Sequence, residues 1–192
     1  MRLIRFLIPA LCLAAIAQAS IITYTGTLSG ASEVPPVATA GTGSVFVTVD
    51  NVANTITLSV TFSGLSTVDA AAHIHCCAAP GTNTAVATAA PALPGFPLNV
   101  TSGTFLNQSF SLLDPNFYLG SFVTNNGGTA ASAEAVLLAG LANGQAYFNI
   151  HTQQNPGGEV RALLVATPEP ATFAFVGLAL AGLFARRCLH RM

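Results

Sequence analysis

Thr55-Ile56-Thr57-Leu58-Ser59-Val60-Thr61-Phe62 alternates large apolar residues with small hydroxylated ones without a break. Successive side chains of a strand point to opposite faces. Ile56, Leu58, Val60 and Phe62 therefore share one face, and Thr55, Thr57, Ser59 and Thr61 the other. This is the signature of a strand with one side in a core. Val45, Val47 and Val49 repeat it just upstream, and Asp50-Asn51-Val52-Ala53-Asn54 supplies the hairpin connection between the two. Further out, Ile22, Tyr24 and Leu28 share a face with Gly26, and strands are predicted over 71–75, 103–112, 145–151 and 159–165. Six or seven short strands punctuated by turns predict one all-β domain, a single β-sandwich. One segment departs from the pattern. Residues 132–142 space Ala135, Leu138 and Ala139 helically before Asn143-Gly144, which predicts one short helix. Asp114-Pro115-Asn116 starts another turn, and Pro91, Pro94, Gly95 and Pro97 mark a loop.

The ends of the chain read differently from its middle. Arg2 and Arg5 precede an apolar run from Phe6 to Ala17, and Ala17-Gln18-Ala19 places small residues where a signal peptidase accepts them. Residues 1–19 are therefore read as a signal peptide cleaved after Ala19; about twelve apolar residues are too few to span a bilayer. At the other end Pro168-Glu169-Pro170 is followed by uncharged residues from Ala171 to Ala185 and then Arg186-Arg187. As a helix this stretch reaches roughly 22 Å, and its trailing arginines match the positive-inside rule. The expected organisation is 1–19 signal, 20–166 β domain and 167–192 tail.

Between the ends, six carboxylates (Glu33, Asp50, Asp69, Asp114, Glu134 and Glu159) face a single base, Arg161, and the chain contains no lysine. Nucleic-acid binding depends on Lys and Arg neutralising phosphates, so that partner class is excluded.

The chemistry-bearing residues form two groups. His73-Ile74-His75 lies on a predicted strand, and the period of two puts both imidazoles opposite Ile74. His151 lies opposite Phe148 and Ile150 on a later strand. If the strands adjoin, His73, His75 and His151 converge as ligands for zinc or copper. Otherwise they are strand-end hydrogen-bonders to Glu33, Glu159 or loop carbonyls. Cys76 and Cys77 follow directly. In an exported chain they form a vicinal disulfide, bridge two molecules, or join the imidazoles on a metal, at the rim of the cluster. Glu33 is read as a buried partner for Arg161 in preference to a catalytic acid. No Ser-His-acid arrangement or G-x-S-x-G motif is present, so no catalytic residue is assigned.

Two resemblances cover these segments. The tail (Pro168-Glu169-Pro170, the apolar stretch, Arg186 and Arg187) resembles the PEP-CTERM sorting signal. That likeness implies an exosortase partner, transient membrane anchoring through a transmembrane helix, and release or transfer to the outer surface. The body resembles the chordin-type (CHRD) domain through Leu28-Ser29-Gly30-Ala31-Ser32-Glu33-Val34-Pro35-Pro36, Ala72-His73-Ile74-His75 and Asn149-Ile150-His151-Thr152, followed by Pro156-Gly157-Gly158-Glu159-Val160-Arg161. This likeness implies an extracellular β-domain, with no established enzymatic activity in its bacterial members. Cys76-Cys77 departs from the family pattern, in which a Gly-Pro-like turn follows the histidine pair. A weaker likeness at the level of fold relates the body to copper-zinc superoxide dismutase sandwiches, so the class expected is Ig-like or superoxide-dismutase-like. The reading is a bacterial, exosortase-sorted surface or matrix protein with a non-catalytic binding or structural domain, which has extracellular matrix or polysaccharide among its candidate partners. The alternative is a copper- or zinc-binding extracellular protein, redox-active in one version, built on the three histidines. N-terminal sequencing of the secreted form is expected to begin at Ser20, and its mass to exclude residues beyond about Pro170. An intact Arg186-Arg187 tail on extracellular protein contradicts exosortase cleavage.

Overall fold

The computed structural model of the protein describes residues 21–167. The signal segment with Ala17 and Ala19, and the tail with Pro168, Glu169, Pro170, Arg186 and Arg187, lie outside the described residues. Eight strands form the body: β1 (Ile21–Ser29), β2 (Thr42–Asp50), β3 (Thr55–Ser63), β4 (Asp69–Cys76), β5 (Gly103–Ser111), β6 (Ala146–Thr152), β7 (Val160–Leu163) and β8 (Val165–Thr167). Helices α1 (Gly120–Asn125) and α2 (Ala130–Ala142) lie between β5 and β6. No helix among the described residues is long and apolar enough to cross a membrane.

The expected all-β fold takes the form of one curled antiparallel sheet in the order β4-β6-β7-β1-β2-β3-β5, with β8 also against β1. β1 is its seam. It pairs with β2 over its whole length and meets β7 and β8 on its other side. The curl gives both halves of the sheet a single apolar core. Ile56, Leu58, Val60 and Phe62 enter it from one half, Ile74, Phe148 and Ile150 from the other, and all are buried. The hydroxylated faces of β2 and β3 point outward and cross-link there, as in Ser44–Thr61 (2.9 Å) and Thr57–Ser109 (3.1 Å). The inward faces are the ones that the alternation predicts, and the register sets Val45 opposite Val60 and Val47 opposite Leu58.

Three features differ from the sequence reading. α2 starts two residues before the predicted helix, because Thr129 and Ser132 form a capping box. α1, in Gly120-Ser-Phe-Val-Thr-Asn125, carries no helical periodicity; it is held by burial of Phe122. The last predicted strand divides at Leu164, where the chain leaves β6 for β1, yet Val160, Ala162 and Leu164 all stay on the core face.

A fourth feature determines the chemistry. β4 and β6 are buried on both faces: His73, Ile74, His75 and Cys76 in one, Ala146 through Ile150 in the other. Three loops cover the outer face. Asn83 donates to the Val34 carbonyl (2.8 Å), Thr84 N–H to the Tyr147 hydroxyl (3.2 Å), and His151 to the Pro156 carbonyl (3.0 Å). Phe148→Ala is expected to cost about 3–5 kcal/mol in chemical denaturation. Phe46→Ala, at a ring 50% exposed, is expected to stay within about 0.5 kcal/mol of the parent.

Candidate metal centre

The antiparallel register of β4 and β6 sets His73 opposite Asn149, His75 opposite Tyr147, and Ala71 opposite His151. His75 and His151 thus sit towards opposite ends of the ladder. Their side chains lean inward along the strands and meet beside His73. Ring centroids are 4.7 Å apart for His73–His75 and for His73–His151, and 5.6 Å for His75–His151. One nitrogen from each ring lies within 4.8 Å of the other two. His73 and His75 are buried, while His151 is half-buried and forms the open side.

Backbone carbonyls set the tautomers. His75 Nδ1–H donates to the Thr84 carbonyl (2.8 Å) and His151 Nδ1–H to the Pro156 carbonyl (3.0 Å). A carbonyl can only accept, so each Nδ1 carries the proton and each Nε2 of a neutral ring presents a lone pair. These two Nε2 atoms face each other at 3.4 Å. The rings are held neutral. Burial, reinforced by the His151 and His75 rings, lowers His73 to about 3. Burial lowers His75 to about 4 against the opposing Thr84 hydrogen bond, and it also lowers His151.

The cysteines stand elsewhere. Cys76 follows His75 by one residue and so falls on the Ile74 face, where it is joined to Cys77 in a disulfide. The pair packs against Gly140 of α2, where a methyl group would collide with both sulfurs. The sulfurs are therefore not at the rim of the imidazole cluster, because strand parity sends them through the sheet.

The carboxylates are also occupied elsewhere. Glu33 pairs with Arg161, whose Nε and NH2 groups donate to its Oε2 at 3.2 and 3.0 Å, and the side chains are 3% and 2% exposed. Burial raises Glu33, with Arg161 opposing the shift. The same guanidinium lies 3.9 Å over the Tyr147 ring, and Tyr147 stacks on His75 at 4.7 Å. Glu159 does not reach the histidines. It accepts from Ser66 N–H (2.7 Å), Ser66 Oγ (2.6 Å), Thr152 Oγ1 (2.7 Å) and Thr39 Oγ1 (2.5 Å). Sequence reasoning missed this knot. Its signal was the Gly-Gly-Glu sequence beside Thr152, but Ser66 and Thr39 are distant in the chain.

A family model for the CHRD domain matches residues 24–164. The chain belongs to the CHRD domain family. The match spans all three histidines together with Glu33 and Arg161. A second model, the PEP-CTERM protein-sorting motif, matches residues 166–187 immediately after it. No curated protein and no solved structure matches the chain. A CHRD domain followed by a PEP-CTERM motif makes this an exosortase-sorted extracellular protein, exported to the cell surface.

The Glu159 knot generates a pH prediction. Burial raises the Glu159 carboxyl, but hydrogen bonds from Ser66, Thr152 and Thr39 outweigh it and lower its pKa from 4.5 to about 2. A depressed folded pKa stabilises the fold fully above the unfolded value and progressively less as pH falls from 4.5 towards 2. Thermal melts of the parent are expected to lose midpoint across that window more steeply than those of Glu159→Gln. Equal slopes overturn the assignment.

Proposed function

We propose that this CHRD domain is a metal-binding module of the cell surface, holding Zn²⁺ or a copper ion on His73, His75 and His151. One observation carries the reading: two unprotonated Nε2 atoms oppose each other at 3.4 Å, each with its Nδ1–H already committed to a carbonyl. Two facing lone pairs repel, and a cation between them removes the repulsion. Tetrahedral ligation at about 2.0–2.1 Å per bond separates two nitrogens by about 3.3 Å. Neutral imidazole suits both zinc and copper, and carbonyl acceptors on the far ring nitrogens are the usual outer support of such ligands. Three protein donors leave one tetrahedral position for water or an exogenous donor at the His151 side.

The role of the domain is binding, not catalysis: the nearby carboxylates are engaged by Arg161, Ser66, Thr39 and Thr152. Signal peptidase removes residues 1–19 in the bacterial host. The tail then anchors the chain transiently until exosortase acts, and the free domain faces extracellular matrix or polysaccharide.

Protein purified from its native host is expected to carry about one zinc or copper per chain by elemental analysis, and His75→Ala or His151→Ala to carry none. The lowered imidazole pKa values fix the sign of the pH dependence. Protons compete for His73 and His75 only well below the ordinary 6.5, and His151 is lowered too, so affinity is expected to stay level through pH 6 and to fall towards pH 4. A wild-type protein without stoichiometric metal, or one releasing it near pH 6.5, refutes the proposal.

A further inference from the structure

Two of the three imidazoles have an acceptor for Nδ1–H; the third does not. His73 Nδ1 is buried with no hydrogen-bond partner. Four buried side-chain nitrogen or oxygen atoms among the described residues lack a partner, and three of them lie in one patch: His73 Nδ1, Asn149 Oδ1 and Glu33 Oε1. Register explains their proximity. His73 on β4 pairs with Asn149 on β6, which pairs with Arg161 on β7, so the three side chains stand in one row on the covered face. Directly opposed residues of an antiparallel pair have Cβ atoms about 4.5–5.5 Å apart, so His73 and Asn149 are within reach of each other.

The orientation of the Asn149 amide is set from its other side. Its Nδ2 donates to Glu33 Oε2 (3.4 Å), the oxygen that Arg161 also holds. A carboxylate needs a donor, so the amide nitrogen faces Glu33 and the amide oxygen stays free. Gly158 closes the patch from above. A Cβ there would lie 2.6–2.7 Å from the Asn149 amide atoms and from Glu33 Oε1, and the residue has φ +124°, so only glycine fits. Asn149 is 1% exposed; a free amide oxygen so deeply buried is costly unless it acquires a donor.

We propose that Asn149 is the positioning residue of His73: when Nε2 of His73 ligates the metal, its Nδ1–H donates to Asn149 Oδ1. Arg161, Glu33, Asn149 and His73 then form one chain from a buried ion pair to the metal, and all three imidazoles have an anchored Nδ1–H. This inference rests on the metal-binding reading above, and it assigns a role to Glu33-to-Arg161 that neither packing nor charge pairing supplies.

The test uses the purified secreted protein loaded with Zn²⁺ and labelled with ¹⁵N in its histidines. Wild-type protein is expected to show His73 protonated at Nδ1 and metal-bound at Nε2, with three slowly exchanging imidazole N–H protons. Asn149→Leu is expected to lose one of these and to weaken zinc binding about 10–100-fold in chelator competition. Wild-type protein with metal at His73 Nδ1 overturns the inference without any variant. So does a folded Asn149→Leu that binds zinc as wild type does or keeps all three slowly exchanging imidazole protons. Wild-type protein that takes up no zinc sinks the metal reading itself, an outcome distinct from these.

Discussion

Arg161 is the single base of the domain body, and it is buried. A buried guanidinium without partners costs several kcal/mol, and removing its partner leaves that penalty uncompensated. The chain meets this constraint with Glu33, with Asn83 Oδ1 and with the Tyr147 ring. Each comes from a different part of the sequence. Glu33 follows β1, Asn83 lies in the long connection after β4, and Tyr147 opens β6. Satisfying one cation therefore draws two loops over the outer face of β4, β6 and β7.

That cover gives the domain a second interior. The inner face of the curled sheet is an ordinary apolar core of Val, Ile, Leu and Phe. The outer face of β4 and β6 is buried too, but in polar company: His73, His75, Asn149 and Arg161. Desolvation there keeps the imidazoles neutral. The covering loops add the carbonyls of Thr84 and Pro156, which choose the tautomers. Neutral rings with Nε2 lone pairs turned inward are a consequence of the buried ion pair as much as of the histidines. At the other end of the sheet the outer faces of β2 and β3 are left to solvent and carry mostly Thr and Ser, with Phe46 among them.

Glu159 plays a complementary part. Its carboxylate ties Thr39, Ser66 and Thr152 together and so fastens the loops after β1 and β3 to the end of β6. The turn before it holds Pro156, whose carbonyl anchors His151, and Gly158, which lies over Asn149. One short segment therefore serves the acid knot, the open side of the histidine cluster and the lid of the Asn149 patch.

Local pattern in the sequence determined which faces of the strands are apolar. The alternation over Thr55 to Phe62, the Val45-Val47-Val49 run and the inward Phe148 and Ile150 all stand where their parity puts them, because a period of two is a property of the extended backbone itself. The same parity put His73 and His75 on one side, and it already implied that Cys76 belongs on the other. The sorting motif and the family likeness were legible for a similar reason, being contiguous in the chain. What only the tertiary structure decided is which strands become neighbours and what covers them. The β4–β6 pairing joins residues seventy or more positions apart, and the register within it sets His151 beside His73. The acceptors at Thr84 and Pro156, the Glu33–Asn149 contact and the burial of the outer face of β4 arise from loops closing over that face. Such closure is a long-range balance of desolvation against pairing, and no local period in the sequence encodes it.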